Sequence, residues 1–487
     1  MSKKIIIVGA GIAGLTAGIY AQRSGFDVTI FEQHTIPGGM CTSWRRKGYL
    51  FEGAVHWPVG MIPKVELNEI WRDTGALSDN VNIFYHEPFF SVEWEGKTVY
   101  IYRDMERTKK HFLEISPEDA DVINRLMKDI QILTKISIPI MDIKGVKNSK
   151  PQKMKFGKFL KMLSALPTVS KFSKMSCSEY INQFKHPALR KVMNFMPMDY
   201  YAIALLCTLS WLHIGDCGYP EGGSLAMTQR MADKFKTLGG KLIFGTKVKK
   251  VTTENGICTG VELEKETLRA DAVIVTQETI AAVNQLFSIP PKDKWIKELC
   301  KNTKSSVCTY IGIGVKAKIP EIPTFDLPDP IVCGGISYTE LGFHCYAYKG
   351  YAPDGGTALT TAFLDDTYDF WKKAKDEGRY EAEKQSLAEQ IKRAICAKYP
   401  QAEGNIEVID IATPLTYERY TGAYRGSWMS TMNKGDKQKL YPGSLKSINS
   451  LYFAGHRMMP PGGLPVALLS GRTAAQMVCR QFDMEFK

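Results

Sequence analysis

A chain of 487 residues is too long for one compact core, so two or more lobes are expected. With 44% hydrophobic and 23% charged residues, extended disorder is excluded. The net charge of +12 suits nucleic acid, an anionic membrane face or an anionic ligand. No zinc-finger spacing or RNA-binding signature is present, so nucleic acid is set aside as a partner.

The 11 cysteines include no C-x-x-C pair, which argues against a disulfide framework and a structural metal and fits a reducing cytoplasm. The first apolar run, residues 5–8, is too short for a signal peptide and is followed at once by glycines; it reads as a first β-strand. No apolar run is long enough to span a bilayer, and residues 202–212 read as a buried helix.

The strand leads into Gly9-Ala10-Gly11-Ile12-Ala13-Gly14, then a helix over residues 15–23, then a second strand over 28–31 that ends on Glu32 and Gln33. Gly9 permits a tight turn, Gly11 lets backbone amides approach a pyrophosphate, and Gly14 allows close helix–strand packing. The helix N-terminus presents unpaired N–H groups to the phosphates, and Glu32 stands where a carboxylate accepts bonds from a ribose. A lone G-x-G-x-x-G is weak; the surrounding β-α-β order makes it a dinucleotide site. NAD and FAD both satisfy this unit.

The blocks that follow favour FAD. From Gly9 through Gly38-Gly39 the chain resembles the amine-oxidase/phytoene-desaturase superfamily of flavoproteins. The resemblance implies that the paired glycines pass the FAD phosphates and that the segment Glu52-Gly53-Ala54 to His56 approaches the isoalloxazine ring. Further blocks match in order. Residues 219–223 precede a helix over 225–238 and a strand over 241–244, and the backbone of Val248 is implied to meet the adenine. Residues 256–263 and 271–276 complete a β-meander and a return strand. The closing block runs through Gly455-His456, Gly462-Gly463-Leu464-Pro465 and Ser470-Gly471-Arg472. The chain departs from the family at three places: His456 stands where Asp is usual, Met40 where Arg is frequent, and Ala54 where Gly is frequent. The implied fold is α/β: a Rossmann-like FAD-binding domain of the GR2 type over residues 1–60, 217–285 and 440–487, with a discontinuous mixed α+β substrate domain over 61–216 and 286–439. Bound FAD is expected to be non-covalent.

A second dinucleotide fingerprint is missing; Gly312-Ile313-Gly314 lacks the third glycine and the helix pattern. Hydride must then pass between substrate and flavin, and the sequence does not identify the external electron donor or acceptor. The substrate lobe is rich in Trp57, Met196, Met198, Tyr200, Tyr201, Trp211, Phe343, Tyr346 and Tyr348, which suit either a core or the wall of a lipid cavity. Residues 413–421 with Gly426-Ser427 resemble carotenoid isomerases, retinol saturases and bacterial phytoene-desaturase-like proteins. Candidate catalytic groups are His56, which reads equally as a group at the flavin or a packing histidine, and Arg419 and Tyr420, which could orient a head group, donate a proton or form a structural ion pair. Glu52 reads as a partner of backbone near the flavin, and Cys41 as a small buried residue.

One segment stands apart. Residues 144–178 hold nine lysines and no acid. Phe156, Phe159, Leu160 and Leu163 fall on one helical face, with Lys155, Lys158 and Lys161 on another. This pattern suits an in-plane helix on an anionic membrane, or an ordinary surface helix packed on its own lobe. The favoured function is an FAD-dependent oxidoreductase acting on carbon–carbon bonds of a lipophilic polyene or isoprenoid, by desaturation, saturation or isomerisation, cytoplasmic and peripheral on the membrane. The alternatives are an amine oxidase, disfavoured by the missing aromatic cage, and a prenyl-binding protein of the GDP-dissociation-inhibitor type, disfavoured by the retained Glu32 and closing glycines.

Overall fold

A computed structural model describes residues 2–148, 156–321 and 323–487. Strand β1 (Lys4–Val8) is buried from Ile5 onward, as a central strand covered on both faces must be. Helix α1 (Ile12–Arg23) follows Gly11 directly, and β2 (Asp27–Phe31) returns beside β1. The helix sits this close to the strand because position 14 has no side chain: a Cβ there would lie 1.9 Å from the carbonyl oxygen of Gly9. A hairpin, β3 (Ser43–Arg46) and β4 (Tyr49–Glu52), turns at Lys47 and Gly48, both at positive φ as two-residue hairpin turns favour.

The middle of the chain supplies helices Met105–Ile115, Ala120–Leu133, α2 (Phe156–Phe172) and α3 (Ala202–His213). They surround a core that includes Leu126, Ile130, Phe172, Leu205 and Leu209. Helix α3 is apolar nearly all round, and most of its residues are buried. Among the described residues no helix is long and apolar enough to cross a membrane.

The chain then returns to the first layer through α4 (Gly223–Thr237), β5 (Lys241–Ile243) and β6 (Ala272–Val275). Between β5 and β6 lies an antiparallel meander, Lys250–Glu254, Ile257–Glu262 and Thr267–Arg269. A second excursion builds an antiparallel sheet of β7 (Thr309–Val315), β8 (His344–Cys345), β9 (Thr357–Phe363) and β10 (Ile406–Ala412), in the order β8-β9-β7-β10. Helix α5 (Pro414–Thr421), strand β11 (Leu451–Phe453) and helix α6 (Leu464–Gln481) follow.

The parallel sheet has the order β5-β2-β1-β6-β11, with Ile7 opposite Ile274 and Ile274 opposite Tyr452. This is the expected α/β layer, gathered from three distant stretches of chain. Helix α6 lies on α1, and Gly471 makes the approach possible: a Cβ there would stand 2.3 Å from the carbonyl oxygen of Ala13. The glycines of Gly312-Ile313-Gly314 have a packing cause. They lie in β7, where a Cβ on Gly312 would strike the ring of Phe51 and one on Gly314 the ring of Tyr49, each at 2.4 Å. The second sheet thus packs on the β3–β4 hairpin, which also meets α4.

Candidate active site

A cavity of about 1390 Å³ opens past the C-terminal ends of β1, β2, β6 and β11 and continues over the second sheet. Ordinary small-molecule sites hold roughly 300–1,000 Å³, so this one has room for a dinucleotide and a second ligand together. Of the residues singled out from the sequence, Gly9, Gly11, Ile12, Ala13, Glu32, Gln33, Gly39, Met40, Gly53, Ala54, Val248, Gly455, His456, Gly463, Leu464 and Pro465 line it. Ala10 and Gly14 stand behind the wall. Ala10 is buried and donates its N–H to Glu32 Oε2 at 2.8 Å, and Gly14 packs on Gly9.

The wall fits FAD. At three of the glycines that border the cavity an added Cβ meets little: at Gly11 only the Gly38 carbonyl oxygen at 3.7 Å, at Gly455 only the Thr276 carbonyl oxygen at 3.8 Å, and at Gly463 only Pro465 Cδ at 3.8 Å. Helices α1 and α6 start at Gly11 and Gly463 without a side-chain cap, so both present bare N–H groups where a pyrophosphate would lie. Glu32 is held by the N–H groups of Ala10 and His34, each at 2.8 Å, while burial pushes its carboxyl above the usual range. His456 departs from the expected Asp: its buried Nδ1 has no partner among the described residues, and burial lowers its pKa to about 3, so it enters the site as a neutral imidazole.

Glu52 anchors the segment that leads toward the substrate side. It is fully buried. Its Oε1 accepts from the N–H groups of Ala54 and Val55, both at 3.1 Å, and from the Ser224 hydroxyl. Its Oε2 accepts from Tyr219 OH at 2.7 Å and from the N–H of Ser224 at 3.0 Å. A carboxylate so occupied holds the loop 53–57 against the start of α4, which agrees with its expected role as a backbone partner. His56, on that loop, lines the cavity, and its Nδ1 lies 2.7 Å from Tyr346 OH. Its Nε2 has no protein partner among the described residues. Burial is the first cause holding its pKa well below the usual value.

Arg419 and Tyr420 are not brought to the cavity. Both are exposed, with the guanidinium 4.6 Å from the centre of the Tyr420 ring. The Tyr420 carbonyl accepts from Gln33 Nε2 at 3.0 Å, and its ring meets His34, so the pair covers the outside of the cofactor wall. Of the aromatic and methionine set, Trp57, Met196, Met198, Tyr200 and Phe343 line the cavity; Tyr346 stands behind His56, and Trp211 donates to the carbonyl of Ile136. Cys41 is buried in the cofactor wall with its thiol pushed up by burial. Sequence reasoning missed Thr276–Glu278 and Trp428 in the cofactor wall, and His86 and His344 on the substrate side. His344 lies on a two-residue strand, too short to carry any periodic signal.

Helix α2 carries its apolar stripe outward. Phe159, Leu160, Leu163 and Leu166 are 45%, 49%, 39% and 48% exposed, while Ala165 and Phe172, on the opposite side at 100° per residue, are fully buried and hold the helix to the core. An ordinary surface helix would show the reverse. Lys155 lies outside the described residues, as do the side chains of Phe156 and Lys158; Lys161, Lys171 and Lys174 are exposed, and Lys147 is paired with Asp483 at 2.6 Å. Just beyond α2, the N–H of Ser178 donates to the carbonyl of Met198, and half-exposed Met198 belongs to the cavity wall.

A family model of flavin-containing amine oxidoreductases matches residues 12–479. The chain is 23% identical to a 1-hydroxycarotenoid 3,4-desaturase of a Flavobacterium species, over 98% of this chain and 99% of that one. It is 21% identical to prolycopene isomerase 1 of an Oncidium hybrid cultivar, over 99% of this chain and 84% of that one. Among solved structures, an oxidoreductase from Methanosarcina mazei superposes with a TM-score of 0.57 at 17% identity, covering 96% of this chain and 98% of that one, a likeness of fold.

Proposed function

The chain belongs to the flavin-containing amine oxidoreductase family, and on that premise we propose that it is an FAD-dependent oxidoreductase acting on carbon–carbon bonds of a lipophilic polyene or isoprenoid, by desaturation, saturation or isomerisation. The observation that carries this reading is one large cavity, in which the dinucleotide wall runs on without a break into one lined by Trp57, Phe89, Phe90, Phe195, Met196 and Phe343. The glycine loops, Glu32 and the two helix N-termini would hold FAD without a covalent bond, and the flavin would supply acceptance or donation of a hydride. The protein's own part is to shape the apolar wall, exclude water and manage the proton that accompanies any gain or loss of hydrogen.

His56 is the group assigned to that proton. Its Nδ1 lies 2.7 Å from Tyr346 OH, its Nε2 has no partner among the described residues, and burial keeps the ring neutral, with a nitrogen lone pair to offer. Changing His56 to Gln is expected to slow polyene conversion roughly a hundredfold, within the usual range for a general acid–base group, with FAD content unchanged. The outward stripe of α2 and its lysines support docking on an anionic membrane, with the cavity wall at Met198 one hydrogen bond from the chain that leaves the helix. The test of the whole reading uses FAD-loaded protein, with lipids extracted from it and from incubations with linear polyenes and analysed by mass and by double-bond geometry. A gain or loss of two hydrogens, or a changed geometry at constant mass, supports it. Hydrogen peroxide released with a panel of amines, and polyenes left untouched, would establish the amine-oxidase alternative instead.

A further inference from the structure

Three histidines share the substrate part of the cavity: His56, His86 and His344. They come from three separate stretches of chain, the loop after β4, the segment after Ile83–Phe84, and β8. The rings of His56 and His344 stack with centroids 4.4 Å apart and planes 20° from parallel. His86 reaches Tyr348 OH only at 3.4 Å through Nδ1, and its buried Nε2 has no partner among the described residues. Neither ring nitrogen of His344 has a protein partner among the described residues. Burial lowers the pKa of His86 and of His344 to about 4 each, so both rings are neutral near pH 7.

A neutral imidazole offers one N–H donor and one acceptor lone pair. Pressed against a pure hydrocarbon, such nitrogens would lose water and gain nothing, which is the expensive case for a buried polar group. A hydroxyl matches both functions, and a carbonyl matches the donor. A carboxylate matches poorly, because the cations in the wall lie elsewhere. Among the described residues these are Lys247, beside the adenine-side Val248, and Arg457, which is paired with Glu278 at 2.9 Å. The substrate part carries Glu87, Glu321 and Glu340 instead.

We propose that the substrate carries a neutral oxygen function, a hydroxyl or a carbonyl, on the part of the chain that lies against His86 and His344. This rests on the polyene reading above and narrows it: unfunctionalised hydrocarbons and carboxylic acids are the disfavoured ligands. The test titrates FAD-loaded protein with one conjugated skeleton in three states: retinol, retinoic acid and axerophthene, the hydrocarbon in which hydrogen replaces the hydroxyl. Binding is followed through the flavin absorbance and tryptophan fluorescence. The alcohol is expected to bind roughly tenfold or more tighter than either of the others. In a His86→Leu/His344→Leu variant with unchanged FAD content, that preference should collapse while the hydrocarbon binds at least as well as before. His344→Gln, which keeps a donor and an acceptor, should restore part of it. Equal binding of alcohol and hydrocarbon, or a preference that survives the double leucine change, overturns the proposal and leaves the polyene reading in place. If none of the three binds to FAD-loaded protein, both fall together.

Discussion

Replacing Phe159, Leu160 and Leu163 by serine should release the protein from membranes without touching its cofactor site. Full burial of a Leu or Phe side chain contributes about 1.5–3 kcal/mol. The four outward residues of α2, Leu166 included, are between 39% and 49% exposed, so each still has roughly 1 kcal/mol to gain from lipid, and the stripe about 4 kcal/mol. Three serines therefore remove about 3 kcal/mol, a fall in partitioning of roughly a hundredfold. Lysines close to an anionic surface add about 1 kcal/mol each. That part fades with salt, since the Debye length falls from about 10 Å at 0.1 M to about 3 Å at 1 M. The assay is co-sedimentation with vesicles of neutral or anionic lipid at low and high salt. Wild type should bind anionic vesicles best at low salt and keep a residue of binding at high salt. The serine variant should lose that residue. A variant with Lys155, Lys158 and Lys161 changed to glutamate should lose the preference for anionic lipid, with its FAD spectrum intact. If both variants sediment as wild type does, the exposed stripe has another purpose and membrane docking is refuted.

Two further outcomes are expected. Gly11→Val should fold yet purify colourless, because a side chain there enters open cavity, whereas Gly14→Val should lower the melting temperature outright, its Cβ meeting the Gly9 carbonyl oxygen at 1.9 Å; yellow Gly11→Val protein would contradict the placement of the pyrophosphate. Stability should fall with acid between about pH 6.5 and pH 4. His86 and His344 stay neutral in the folded protein down to about pH 4, while in the unfolded chain they take up protons below about 6.5. Stability is thus fully present above the unfolded value and lost as pH drops through this window, by roughly 3 kcal/mol for each ring. Melting curves that do not shift between pH 6.5 and 5 would be incompatible with two buried neutral histidines.

The glycine-lined part of the cavity was legible because its signals are local. Gly9, Gly11, Gly14 and Glu32 fall within one short β-α-β unit, where backbone sterics dictate which positions lack a side chain. The closing glycines were legible by resemblance to known flavoproteins. The histidine group was not, since His56, His86 and His344 meet only after the second sheet has packed on the hairpin at Phe51 and Tyr49, and no spacing records that encounter. For α2 the periodicity revealed an apolar stripe but not its direction. The same pattern describes a helix turned inward, and the burial of Ala165 and Phe172 decides the matter. Arg419 and Tyr420 are polar residues beside a family-like motif, and the fold turns them to solvent above His34.

The parallel sheet has a consequence for how the protein is made. Its edge strand β11 and the helix that rests on α1 are translated long after β1, yet Gly455 and Gly463 line the same cavity as the first glycine loop. A nascent chain that has completed only the first β-α-β unit owns half a cradle, with the Ala13 carbonyl still waiting for the close approach at Gly471. Cofactor capture is therefore expected only after Gly463 has been translated. Truncation after residue 440 would leave every residue of the histidine group and most of both sheets in place and still yield a protein unable to retain its flavin.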